Sequence, residues 1–332
     1  MAAAADHAAD VPAAGAGGCR MSAKHLKLIA LTLVVVLLLW GGSELFSRGS
    51  DTVTGGLSVP ALAQSDVDTI SVVKGTDSII VAKSATGWTA NGRRAAPDAV
   101  NDFFLALRDS VAPELVAQDS SSFDRLNVDS ATGRWVRVRR GGKPLLALIV
   151  GARGSEYASA YVRRPGDSHV YLWRGRLASL ADRAVDDWRD KRIAAVEPDS
   201  VALIEVERGK DRYTVQRVGT TWKLNGAPAD SGAVARLLEK YRAVTAAGFA
   251  SPAQADSARA LRPARRLSVR GARGTTLVAL VFDSIPGAFW IRRTRGGAAG
   301  GDAGTLYRMN AWDVDGLTPA SRSLAPPAAA KQ

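Results

Sequence analysis

A chain of 332 residues with 46% apolar side chains has room for two ordinary domains, each with its own core. A single cysteine, Cys19, excludes an intrachain disulfide and any cysteine-built metal site, and three histidines (His7, His25, His169) leave little scope for imidazole chemistry. The net charge of +12 resides wholly beyond residue 47, because Arg20, Lys24 and Lys27 balance Asp6, Asp10 and Glu44 ahead of it; such a surface attracts anions, yet scattered solvated arginines account for it without any ligand.

Residues 1–25 open on an Ala/Gly-rich stretch without periodicity and are expected to be disordered on the cytoplasmic side. Met21 begins a segment that reads as a natural start. Residues 26–46 contain an unbroken apolar run from Leu28 to Trp40 in which Thr32 is the one polar interruption. At ~1.5 Å per residue this length suits a ~30 Å hydrocarbon layer. Arg20, Lys24 and Lys27 on its N-terminal side place the C-terminal bulk outside the cytoplasm. A cleaved secretory signal is the rival reading, with Ala61-Leu62-Ala63 as its cleavage site, but that site lies too far beyond Trp40. The favoured reading is a single-pass inner-membrane anchor followed by a flexible Ser/Gly/Thr-rich tether over 47–65.

The chain then repeats itself 134 positions apart. Ungapped alignment of 69–92 with 203–226 pairs Ile70/Ile204, Val72/Val206, Gly75/Gly209, Asp77/Asp211, Val81/Val215, Thr86/Thr220, Trp88/Trp222, Asn91/Asn225 and Gly92/Gly226. Each copy opens on two alternating runs joined through Gly and Asp, then a short Trp-bearing strand that turns at Asn-Gly. A helix follows, with Val100, Phe103, Phe104 and Leu107 on one stripe and Val234, Leu237, Leu238 and Tyr241 on its counterpart. Further strands are expected at Trp135–Arg139, Leu145–Val150, Ala160–Arg163 and Val170–Trp173, then at Leu267–Arg270, Leu277–Phe282, Phe289–Arg292 and Leu306–Met309. The apolar Leu145–Val150 reads as a buried central strand. The fold class is therefore α+β: two tandem related domains, 66–198 and 199–320, each a mainly antiparallel sheet with one covering helix. Gly296–Gly304 reads as a flexible hairpin tip, and 321–332 as a disordered tail.

Catalytic chemistry is hard to assemble from this inventory. His169 stands alone in a turn and reads as solvated. Ser71 and Lys74 have the S-x-x-K spacing of serine acyl-enzymes but fall on a strand, where i and i+3 point to opposite faces. Asp182, Asp186, Asp187 and Asp190 could be paired hydrolytic carboxylates, yet Arg183, Arg189, Lys191 and Arg192 interleave with them as on a salt-bridged surface. Trp88 and Trp222 could stack on sugars, but their matched apolar settings favour core anchors. No catalytic, cofactor-binding or metal residue is assigned, no cofactor is expected, and no nucleic-acid motif is present.

The anchor, I-x-V-x-x-G, Gly87–Gly92 (GWTANG), the Pro/Asp-led helix, Tyr161-Val162-Arg163 with Val170-Tyr171, and Asp187-Trp188-Arg189-Asp190-Lys191 together resemble the bacterial DUF4340 family of envelope proteins. The resemblance covers about 66–193 well and 199–318 as a looser second copy. It implies company with ABC transporters of the gliding-motility auxiliary type and carries no catalytic residues to transfer. Nothing after Asp315 reproduces the Asp187–Lys191 segment, which makes Asp187, Trp188, Arg189, Asp190 and Lys191 the candidate partner interface, set against a plain packing role between copies. The expected function is a non-catalytic, membrane-anchored, extracytoplasmic accessory or scaffold protein of an ABC-type transport or envelope system. The alternatives are an envelope binding module for an anionic or glycan ligand and, behind it, a carboxylate-based glycan hydrolase.

Overall fold

The computed structural model describes residues 56–108, 113–156, 158–296 and 304–327. The expected N-terminal stretch 1–25, the anchor 26–46, the first part of the tether and the Gly-rich residues 297–303 lie outside the described residues. No helix among the described residues is long and apolar enough to cross a membrane.

The architecture is mostly antiparallel sheet with few helices. In the first copy the elements are β1 (Thr69–Lys74), β2 (Asp77–Ser84), β3 (Gly87–Ala90), β4 (Arg93–Arg94), α1 (Pro97–Arg108), β5 (Glu114–Ala117), β6 (Arg134–Arg140), β7 (Lys143–Arg153), β8 (Ser159–Arg163), β9 (Val170–Arg174), α2 (Leu177–Ala181) and α3 (Val185–Trp188). A connecting strand, β10 (Arg192–Ala194), leads into the second copy: β11 (Val201–Arg208), β12 (Asp211–Val218), β13 (Thr221–Leu224), β14 (Ala227–Pro228), α4 (Ser231–Arg242), β15 (Val244–Thr245), β16 (Gly248–Phe249), α5 (Pro252–Ala258), β17 (Pro263–Gly271), β18 (Thr276–Ile285), β19 (Ala288–Gly296), β20 (Leu306–Asn310) and α6 (Ala311–Leu317).

Two nine-stranded sheets result, ordered β4-β3-β2-β1-β6-β7-β8-β9-β5 and β14-β13-β12-β11-β17-β18-β19-β20-β16. The order is the same in both. Hairpins join most neighbours; the helix alone carries the chain from one edge strand (β4 or β14) to the opposite edge (β5 or β16), so it must cross a sheet face. That face is the core. Val100, Phe103, Phe104 and Leu107 of α1 pack with Ile70, Val138, Leu148 and Trp173, and Val234, Leu237, Leu238 and Tyr241 of α4 pack with Ile204, Val269, Leu280 and Ile291. Burying each large apolar side chain contributes ~1.5–3 kcal/mol. Asp230 caps α4 by accepting from the Ala233 N–H at 3.0 Å, which satisfies one of the helix's unpaired donors.

The Asn-Gly turns show why that pair recurs. Asn91 and Asn225 take φ of 46° and 50°, followed by Gly92 and Gly226 at 76° and 85°, as a two-residue hairpin turn with the strand's own twist demands. Each Asn side chain also accepts a backbone N–H of the first hairpin's second strand, Ile80 of β2 at 2.7 Å and Thr214 of β12 at 2.9 Å. Trp88 lies 6.3 Å from the Phe104 ring, and Trp222 is buried under Arg217; both serve as core anchors, as their sequence setting predicts.

The structure departs from the sequence reading in four places. Each sheet has two more strands than expected, the edge pieces β4/β14 and β5/β16, which are too short to show periodicity. The tether is shorter than 47–65: Leu57 and Leu62 are buried in the first core, and Gln64–Asp66 forms a 3-10 turn. The tail does not begin at 321, since Ser321–Leu324 forms a 3-10 turn and Leu324 is buried in the second core. Finally, Asp187–Lys191 does have a backbone counterpart. The Ala96 N–H donates to the Trp188 carbonyl at 2.8 Å, and the Asp230 N–H, 134 positions on, donates to the Leu324 carbonyl at 2.8 Å. Trp188 and Leu324 thus close equivalent sheet edges.

Candidate functional site

The linker is built as a strut. Trp188 is fully buried, 5.9 Å from the Phe103 ring, with the Arg183 guanidinium 5.8 Å from its own ring. Residues 188–190 lie along β4: the Asp190 N–H donates to the Arg94 carbonyl at 2.9 Å, and Arg189 bridges Ala95. The chain then pairs β10 with β15 of the second copy, and the Ala246 N–H donates to the Lys191 carbonyl at 2.7 Å. Ile193 and Val196, the next apolar residues, belong to the second core. Around this crossing Asp186 binds Arg189 at 2.8 Å and accepts the Phe249 N–H at 3.4 Å. The guanidiniums of Arg189 and Arg93 lie 5.5 and 5.9 Å from the Phe249 ring, within reach of cation–π attraction. Arg93 also donates to Thr305 Oγ1 at 3.1 Å. Of the five candidate interface residues, Trp188, Arg189 and Asp190 are largely covered; Asp187 and Lys191 reach solvent and pair with one another at 2.8 Å.

The clustered aspartates are all engaged by cations. Asp182 pairs with Arg134 and, at 3.8 Å, with Arg153; Asp190 pairs with Arg192 at 3.5 Å and Arg94 at 3.9 Å. Arg183 turns instead to Asp102 at 2.8 Å. No group of three His, Cys, Asp or Glu side chains among the described residues is disposed to hold a metal ion. His169 is half-buried with Nδ1 2.8 Å from Asp167 Oδ1.

The outer sheet faces, opposite α1 and α4, differ between the copies. In the first copy a strap over 118–133 covers the face. Its Leu126 and Val128 bury Ile149 and Val170, with Phe123, Trp135 and Tyr161 packed around them. Gly151 makes the approach possible, because a Cβ there would meet the Leu126 carbonyl oxygen at 2.3 Å. Arg163, almost wholly buried, donates Nε–H to the Val128 carbonyl and stacks 4.2 Å from the Phe123 ring. Asp119 and Asp129 pin the strap's ends. The Ser121 and Thr132 hydroxyls, followed by nearby backbone N–H groups, hold both carboxyls below the ordinary aspartate range. Such groups stabilise the fold above their unfolded pKa of about 3.9 and lose that contribution as pH falls through the depressed folded value. Pepsin should therefore cut at Phe123 and Leu126 faster at about pH 2 than at about pH 4, relative to an unfolded control; an unchanged ratio would refute the strap's dependence on these two carboxylates.

In the second copy the segment between β16 and β17, which includes α5, takes the strap's place: its Ala250, Ala255 and Ala258 pack on Trp290 and Leu306. Among the described residues an open groove of about 450 Å³ lies beside it, over β11, β12, β17 and β18, lined by Glu205, Glu207, Arg212, Arg266, Ala279, Val281 and Thr294, among others. Arg266 pairs with Glu207, and Arg270 with Glu205, both at 2.9 Å. Neither this groove nor the exposed Trp312, 70% accessible, stands out in the sequence, because both rest on what fails to cover them.

Together these features define a two-copy, sheet-rich protein whose conspicuous charged residues are structural. Residues 88–263, just over half of the chain, match the family model described as domain of unknown function DUF4340. The chain belongs to that family. The match runs from β3 to the start of β17 and so spans both helices and the strut. No curated protein and no solved structure matches the chain.

Proposed function

We propose that the protein is a non-catalytic, membrane-anchored, extracytoplasmic accessory or scaffold protein of an ABC-type transport or envelope system. Residues 26–46 are its single anchor, the N-terminus is cytoplasmic, and two related α+β domains stand outside. One observation carries the reading. The residues with the most chemical potential, Asp186 to Arg192, are spent joining two sheets through the strut and its Phe249 contact, which suits a part whose task is to hold a shape. The reading of an anionic or glycan binding module draws less support: Arg266 and Arg270 beside the open groove pair with glutamates, and both repeat tryptophans pack inward. Co-purification of the full chain from gently solubilised membranes tests the proposal. It should bring down a membrane complex at fixed stoichiometry; recovery of the protein alone, or in the soluble fraction, would sink it.

A further inference from the structure

We infer that another molecule of this chain docks on the free edge of the first sheet, at β5, through the one-turn segment that carries Leu324, so that molecules add head to tail by the contact that joins the two copies within one molecule. The inference goes beyond the scaffold reading and needs neither the membrane anchor nor the transporter.

Within one molecule the first copy caps the edge of the second sheet. Phe249 of β16 donates its N–H to Asp186 at 3.4 Å and lies against the guanidiniums of Arg93 and Arg189. A Cβ at Gly248 would stand 3.4 Å from the Asp186 carboxylate, so a glutamate there would be pressed against a like charge. The registers give the equivalent edge of the first sheet. β16 pairs β20 with Gly248 opposite Arg308 and Phe249 opposite Tyr307; β5 pairs β9 with Glu114 opposite Leu172 and Leu115 opposite Tyr171. Glu114 therefore stands where Gly248 is, and Leu115 where Phe249 is. Leu115 and its neighbour Val116 are 39% and 40% exposed.

The capping segment has its own counterpart. Val185–Trp188 and Ser321–Leu324 are each one helical turn, entered from an extended alanine, Ala184 or Ala320, whose carbonyl accepts the N–H of Asp187 or Ser323 at 3.0 Å. With Trp188 matched to Leu324, Asp186 becomes Arg322 and Arg189 becomes Ala325, while Arg93 of β4 becomes Ala227 of β14. Arg322 is exposed and has no partner among the described residues.

The two sides have changed together. Inside the molecule a glycine meets an aspartate, and an aromatic ring meets two arginines. Between molecules Glu114 would meet Arg322, and the apolar Leu115 would meet Ala227 and Ala325. Each new pair is as complementary as the one it replaces, and that selects a second molecule of this chain as the occupant. Glu114 already holds Arg174 at 2.8 Å, but its side chain is more than half exposed, and a carboxylate has acceptor sites for a second cation. Direct pairing of two β5 edges is disfavoured by the bulge between Leu115 and Ala117. Because the two patches are different surfaces, the contact does not close on itself and propagates.

The test uses the full chain in detergent with its one cysteine removed (Cys19→Ser), carrying either Leu115→Cys or Ala325→Cys. The two proteins are mixed and treated with a short bis-maleimide. A cross-linked dimer is expected from the mixture and from neither protein alone. The chain carrying both cysteines should give a ladder of dimers, trimers and longer products. Arg322→Glu on the Ala325→Cys molecule should cut the mixed product at least about fivefold, and Glu114→Lys on the other molecule should restore it, since charges across a contact set which patches meet. Unchanged circular dichroism confirms folding, and a Glu114→Lys protein that fails to fold leaves the Arg322→Glu reading intact. Absence of the mixed product overturns the inference; an edge already covered by this chain's own remaining residues would show in that way. So does equal product from Leu115→Cys alone, the mark of two edges pairing symmetrically, and so does a yield indifferent to Arg322→Glu. Co-purification of a membrane complex depends on none of these results, so the two readings fall separately.

Discussion

Replacing Trp188 by alanine is expected to destabilise the protein by ~3–5 kcal/mol, the usual cost of deleting a large buried aromatic side chain. The expectation follows from position. Trp188 is fully buried against Phe103, and its own carbonyl closes the sheet edge at Ala96. Only four residues separate it from Ile193 of the second core. A cavity at Trp188 therefore loosens the first core at the point where the strut leaves it. Trp188→Phe should cost under about 1.5 kcal/mol, since the ring volume is largely kept. The indole Nε1 has no hydrogen-bond partner among the described residues, so losing it removes a buried unsatisfied donor. Urea unfolding of the three proteins decides the matter, and Trp188→Ala within about 1 kcal/mol of the parent would show that the strut's root is not a packing anchor. Leu324→Ala is the matched control, expected at ~2–5 kcal/mol, because Leu324 closes the equivalent edge of the second sheet.

The comparison of Trp188 with Leu324 also marks where sequence stops informing. From Thr69 to Arg108 the two copies run without a gap, so one offset carries every strand, the Asn-Gly turn and the helix stripe. Beyond the helix the offset drifts, from 131 at Val138 and Val269 to 129 at Arg163 and Arg292, then to 136 at Tyr171 and Tyr307, as the registers show. Loops of unequal length absorb the difference. What persists at Trp188 and Leu324 is one buried apolar side chain and one backbone carbonyl, and neither is a sequence pattern. The strap is hidden for a related reason. Phe123, Leu126 and Val128 sit among Ser and Asp and read as a polar loop, because the chain there binds through carbonyls and alternate apolar contacts and forms no ladder. The Asp187–Lys191 segment was legible as unusual in composition. That Arg189 turns onto Phe249, while Asp187 and Lys191 pair with each other at the surface, depends on the second copy's edge strand arriving beside it.

Arg292→Leu is expected to cost ~3–5 kcal/mol, while the double variant Asp283→Leu with Arg292→Leu should return to within about 1 kcal/mol of the parent or exceed it. Asp283 is wholly buried, and its one ionic partner among the described residues is Arg292 at 2.8 Å. Oδ1 of the aspartate and Nε of the arginine are both left without partners, so the pair is held by one of the two bonds that a forked contact could make. Removing the arginine strands a carboxylate in an apolar setting beside Trp290 and Ile285. Removing both ends removes the desolvation cost with the attraction. The single Asp283→Leu should be milder than Arg292→Leu, because the arginine side chain is 41% exposed and can turn to water. The first copy shows that the fold itself has no need of this pair, since Gly151 stands at the place of Asp283 and Arg163 bonds to backbone carbonyls instead. A double-mutant cycle by urea unfolding measures the coupling. A small Arg292→Leu effect, or a double variant no better than that single one, would mean that the charges are solvated and the outer face of the second sheet is looser than the structure has it. If the cycle closes as expected, the pair is a poor stabiliser whose attraction only offsets the cost of burying its own carboxylate, a cost that the first copy avoids by having Gly151 at that place.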